Sequence, residues 1–176
     1  MTRKFRRIVT AEDADGKSYV LSDAEPEVNA EIPNMGCLYT LWKTEAMPVP
    51  IPVVEDIDLS GPPDLRPGPQ GTHFRLVVIE PESKISEADK EKMVAMMEAE
   101  EDLERDESSG NPMMHRTETI DYLIVLSGEL HMALDSGEIV VGAGDFIVQG
   151  GANHSWSNRG DEPAVLIGAM LGGARA

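Results

Sequence analysis

The chain has 176 residues, 41% of them hydrophobic and 27% charged, which are the proportions of one globular domain with a sizeable core. Its formal net charge of −17 repels phosphate backbones and anionic bilayers, so nucleic acid and membrane surfaces are set aside as partners. No run reaches the roughly 18 apolar residues of a membrane helix. The basic cluster Arg3, Lys4, Arg6 and Arg7 has no apolar stretch behind it to make a secretory signal, and Cys37 has no second cysteine to pair with. The expected compartment is the cytoplasm.

Two parts differ in texture and are expected to form one domain. Residues 1–110 alternate short strand-like runs with loops and one helix, which pack on the second part. Residues 111–172 are nearly continuous strand and turn. Phe5–Val9 and Ser18–Leu21 read as two strands around the polar turn Asp13–Ala14–Asp15–Gly16. Cys37–Trp42 reads as a third. Prolines at 48, 50, 52, 62, 63, 67 and 69 then remove ladder donors and forbid helix, so residues 48–71 are expected as a long irregular loop, either a lid or a subunit arm. His73–Glu80 alternates as a strand.

Glu87–Leu103 is the one predicted helix. Ser86 is placed to cap it, Asp89 follows three residues later, and Met93, Met96, Met97 and Leu103 recur at helical spacing. Beyond His115 the pattern becomes β. Asp121–Leu126, Glu129–Leu134, Glu138–Val141, Phe146–Val148, His154–Asn158 and Ala164–Leu171 are strand candidates separated by glycine-bearing turns. Many short strands with little helix predict an all-β sandwich or barrel.

Two same-face series carry the chemistry. His115 and Thr117 are two apart, with Asp121 at the head of the next apolar strand; His154, Trp156 and Asn158 form the second series. If both face one interior, two imidazoles and a carboxylate make either an acid–base set or a ligand set for a divalent transition metal. His73, with no partner near it in sequence, and His131, on an alternating strand, are expected to stand outside the site.

The stretch from His115 through Asp121 to Gly128 resembles the first cupin motif, which runs His, any residue, His, three or four residues, Glu, six residues, Gly. The stretch Gly142 to Asn158 resembles the second, with Gly151, His154 and Asn158 in register. Three positions depart from the pattern: the second His falls on Thr117, the Glu on Asp121 and the Pro on Gln149. The version His-Arg-Thr-x-Thr-x-Asp-Tyr is similar to that of small single-domain bacterial cupins.

The resemblance implies a jelly-roll β-barrel with an N-terminal strand extension and one short helix. It also implies a homodimer paired through N-terminal strands near Phe5 and Tyr19, and a small-molecule substrate inside the barrel. The leading expectation is an enzyme of isomerase, dehydratase or decarboxylase type. In it His115 or His154 acts as base, Asp121 orients or charges a histidine, Thr117 and Asn158 hold a substrate oxygen, and Trp156 or Trp42 covers an apolar face. The alternatives are a metal-dependent oxygenase with Fe, Mn or Zn on His115, Asp121 and His154, and a binding module that leaves its ligand unchanged. With Thr117 in place of an imidazole, metal affinity should fall, and the site is expected to hold either no cofactor or one divalent ion.

Overall fold

The computed structural model describes residues 5–32, 35–59, 64–99 and 103–175. The first hairpin pairs β1 (Arg7–Glu12) with β2 (Ser18–Ala24) as a two-stranded sheet of its own. The turn predicted between them forms, with the Asp13 carboxylate accepting the Asp15 and Lys17 amides. β3 (Ala30–Ile32), which the sequence reading missed, pairs with β4 (Gly36–Thr44). Its three residues are too few to show a period. The described part of the proline-rich segment contains neither helix nor strand, as missing donors require.

α1 (Glu87–Glu98) begins where the capping signal placed it: Ser86 accepts the Asp89 amide, and the Asp89 side chain accepts the Ser86 amide in return. It stops short of Leu103. No basic side chain stands in the last turn, and Glu98 sits at the negative end of the helix dipole.

The remaining strands form two sheets. One is six-stranded, in the order β11-β8-β13-β5-β4-β3, with β5 (Thr72–Ile79), β8 (Thr119–Ser127), β11 (Phe146–Gln149) and β13 (Ala164–Gly172). The other is five-stranded, in the order β10-β9-β12-β7-β6, with β6 (Glu104–Arg105), β7 (His115–Arg116), β9 (Glu129–Leu134), β10 (Gly137–Gly142) and β12 (His154–Ser157). Val125, Ala164 and Leu166 from the first sheet meet Leu130 and Val141 from the second in one buried cluster, so the two sheets face each other across a shared core. This is the expected all-β jelly roll, built as two facing sheets. The N-terminal part supplies three of the six strands in the larger sheet.

Inward rows follow from the register. On β13, Leu166 lies between Val77 and Val125, Gly168 between Arg75 and Leu123, and Met170 between His73 and Asp121. The apolar rows fill one end of the interior. Toward the other end the inward residues become polar, and the functional side chains gather there.

Candidate functional site

His115 and His154 are direct cross-strand partners on β7 and β12. Their rings lie 4.6 Å apart between centroids, tilted by 44°. Each is fixed by its own backbone. His115 Nδ1 is 2.8 Å from the Met113 carbonyl oxygen, and His154 Nδ1 is 3.0 Å from that of Ala152. A carbonyl only accepts, so Nδ1 carries the ring proton in both. The Gln149 amide, 3.2 Å from His154 Nδ1, donates to the Ala152 oxygen at 2.9 Å and braces the same contact. Nε2 is then the bare nitrogen of each neutral ring.

Burial keeps the rings neutral. It lowers the His115 imidazole below its ordinary range, and burial together with repulsion from His115 holds His154 down to about 4. Two bare ring nitrogens therefore stand side by side at neutral pH.

Asp121 lies on β8 of the facing sheet, 5% exposed, and its Oδ1 has no hydrogen-bond partner. Burial raises its carboxyl above the usual carboxylate range, against a hydrogen bond from Thr119 and the charge of Arg75. Thr117, also buried, shares a 2.8 Å hydroxyl contact with Thr119. The hydroxyls thus link the strand of the histidines to the carboxyl. The expected His–Asp contact does not form: backbone carbonyls orient the imidazoles, and Thr119 holds the carboxyl.

Trp156 stands where its series placed it. It is two residues from His154 with the rings 6.3 Å apart, and it packs against the core cluster. Asn158 is different. It is 1% exposed; its Nδ2 donates to the Ile79 and Glu162 carbonyls, and its Oδ1 accepts the Gly160 amide, each at 2.9 Å. Its polar atoms are spent on tying loop to strand, which corrects its expected role toward substrate. Trp42 is a second correction. It pairs with Phe74, whose side chain is on the outer face of the sheet, and the Arg7 guanidinium lies 5.6 Å from its ring. It therefore lies on the outer face with Phe74.

The sequence reading missed Arg75, Thr119 and Gln149, and placed His73 outside. His73 and Arg75 are both buried on the inner face of β5, with Arg75 Nη2 donating to His73 Nδ1 at 2.8 Å. Burial, with the Arg75 charge beside it, holds His73 down to about 4. The signal was the spacing of 73 and 75 itself, two polar residues on one face of an apolar strand. Phe74, the apolar residue between them, is 41% exposed and faces out. His131 behaves as expected, bonded at 2.9 Å to the exposed Glu138.

Among the described residues, no three His, Cys, Asp or Glu side chains gather as a group able to hold a metal ion. His115 and His154 offer two imidazole donors from one sheet, Asp121 sits on the other, and Thr117 occupies the position where the motif has an imidazole. The residues present do not fit the three-ligand centre expected of them.

Residues 99–170 match the Cupin domain family. Among curated proteins, the phomopsin biosynthesis cluster protein D of Diaporthe leptostromiformis is 42% identical over 78 residues, covering 36% of this chain and 41% of that protein. The cupin-domain-containing oxidoreductase virC of Hypocrea virens is 46% identical over 62 residues, covering 33% of this chain and 32% of that protein. These matches span less than half the length of either relative. Among solved structures, the cupin domain of Schizosaccharomyces pombe Cnp3 matches with a TM-score of 0.45 at 8% identity, covering 97% of this chain and 89% of that one. With both motifs in order on facing sheets and the family match lying across them, residues 99–170 are similar to a cupin domain.

Proposed function

We propose that the polar end of the interior binds a small organic molecule and that the protein acts on it by acid–base chemistry, as an isomerase or lyase. The observation that carries this reading is the pair of neutral imidazoles. Both Nδ1 atoms are committed to backbone carbonyls, and both Nε2 lone pairs are left as bases. A free imidazole is a competent base only where it is unprotonated, and burial secures that form. Asp121 supplies the opposite property. Its raised affinity for a proton and its unpartnered Oδ1 suit it to give a proton, or a hydrogen bond, to an oxygen on which charge develops. An acid and a base on facing sheets match proton abstraction beside a carbonyl on one side of a substrate and protonation on the other. Positioned acid–base groups contribute about 10²–10⁴-fold in rate.

The test is exchange of substrate protons with solvent. A panel of small aldehydes, ketones and 2-oxo acids is incubated with the protein in deuterium oxide and followed by proton NMR. Loss of a signal beside a carbonyl, abolished in His154→Ala and in His115→Ala, supports the reading. Compounds that bind and are neither exchanged nor converted would leave the binding-module reading in its place. Activity that appears only with added Fe(II) or Mn(II) would favour the oxygenase reading.

A further inference from the structure

An antiparallel strand with one wet face alternates apolar and polar residues. β9 does so, with buried Leu130 and Met132 set against Glu129 and His131 on the other face. The larger sheet breaks the rule. Its strands β8, β11 and β13 contain the runs Tyr122–Leu126, Phe146–Val148 and Ala164–Ile167, which are apolar on both faces. Such strands are expected where both faces of a sheet are covered. The inner face is covered by the core; the outer face of β8 and β11 is bare.

Ile147 packs against the core cluster, which turns its neighbours Phe146 and Val148 outward, where they are 80% and 67% exposed. Register carries this face across the sheet: Val148 pairs with Tyr122, Tyr122 with Ala169, and Ala169 with Phe74. Tyr122, Phe74, Ile120 and Leu126 are exposed as well. From β11 to β5 no outward position is charged, on a chain with 15 basic and 32 acidic residues. At the β4 side the chain covers its own face. Phe5 packs on Tyr39 with ring centroids 5.8 Å apart, and Arg7 donates to the Leu41 carbonyl and lies over the Trp42 ring. Leu76, cross-strand from Tyr39, is accordingly buried.

We propose that the outer face of β8 and β11 is where two copies of this chain meet, their larger sheets packed face to face about a two-fold axis. Area and charge select a second copy. The six exposed side chains present on the order of 500 Å² of mostly apolar surface, the size of a functional patch. Two such faces reach the roughly 1,000 Å² that a specific interface needs, before the half-buried Ile124 and Ile167 beside them are counted. A chain of net charge −17 repels its own copy wherever carboxylates meet, and on this face there are none. A basic partner would find no carboxylate there to pair with. Opposed sheet faces carrying aromatic and branched side chains interdigitate as two layers. The contact differs from the N-terminal pairing that the resemblance implies, because Phe5 is already engaged within its own chain.

The experiment is sedimentation equilibrium of the full chain across a micromolar concentration series, at low and high salt, on wild type, Phe146→Glu, Val148→Lys and Tyr19→Glu. Wild type should be a dimer that tightens as salt rises, because salt screens the repulsion between two acidic copies and leaves the apolar contact. Phe146→Glu and Val148→Lys should each weaken it about a hundredfold or more, since a change at a two-fold contact is made twice. Tyr19→Glu, on the N-terminal hairpin, should leave the dimer unchanged. Both β11 positions are exposed, and a circular dichroism spectrum matching wild type establishes that each variant folds; either one alone suffices for the test. A wild type that stays monomeric would overturn the proposal and leave the face to a different partner. So would a dimer that weakens with salt, one that survives both β11 substitutions, or one that Tyr19→Glu dissociates.

Discussion

Lowering the pH should destabilise this protein through His154 by an amount the structure sets. The ring is neutral and 5% exposed when folded, and it takes its proton only near pH 4, against an ordinary value of 6.5. A histidine whose affinity for protons is lower when folded binds more of them unfolded. Its contribution is therefore whole above pH 6.5 and is lost progressively as the pH falls from there to about 4. At about 1.36 kcal/mol for each pH unit, the gap between 6.5 and about 4 corresponds to a loss on the order of 3 kcal/mol. His154→Asn removes the titration and keeps an amide N–H near the position of Nδ1, within reach of the Ala152 carbonyl. The assay is urea unfolding of both proteins across that range. Because His115 and His73 titrate in both, the difference between the two curves isolates His154 together with its repulsion from His115. Wild type should lose on the order of 3 kcal/mol relative to the variant by pH 4. Parallel curves would refute the neutral, buried imidazole.

Three further outcomes follow from particular contacts. Asn158→Ala orphans the Ile79 and Glu162 carbonyls and the Gly160 amide, and should cost about 3–5 kcal/mol in urea unfolding, where a substrate contact would cost almost nothing. Gly128→Ala, at φ 79° with a new Cβ 2.7 Å from Ala164 Cβ, should lower the melting temperature more than Gly110→Ala, which has φ 73° and open space around it. The positive φ costs each about 1–2 kcal/mol, and the clash adds about 1–3 kcal/mol at Gly128 alone. Ser86→Ala breaks the reciprocal cap of α1 and should cost about 1 kcal/mol, with hydrogen exchange at the Asp89 amide accelerating.

The strands after His115 were legible because each is a short run bounded by turn residues. Glu129–Leu134 ends where the pattern ends, and the others shift by a residue or two. The cap at Ser86 was legible because it is a local motif, whereas the C-terminus of α1 carried no glycine to announce it. At the site, His115 and His154 could be paired from sequence because the two motifs fix their registers. What could not be read was the company each polar group keeps. Asp121 has the right spacing to serve a histidine and instead answers to Thr119 and Arg75. Asn158 has the right spacing to serve a ligand and instead spends every polar atom on the backbone. Arg75 was hidden by its own strand. The apolar alternation through Phe74 and Leu76 argues for one face in the core, and the chain buries the other face at that end, where two polar residues line the interior. The pattern fails where the chemistry is, as expected of a site that trades packing for function.

The proposed chemistry needs two bare ring nitrogens in the interior at neutral pH. NMR correlation of imidazole nitrogens with ring protons reports the tautomer and charge of each histidine directly. For His115 and His154 at neutral pH it should show a protonated Nδ1 and an unprotonated Nε2. Cationic rings, or protons on Nε2 with Nδ1 bare, would contradict it, because no free base would then remain in the site.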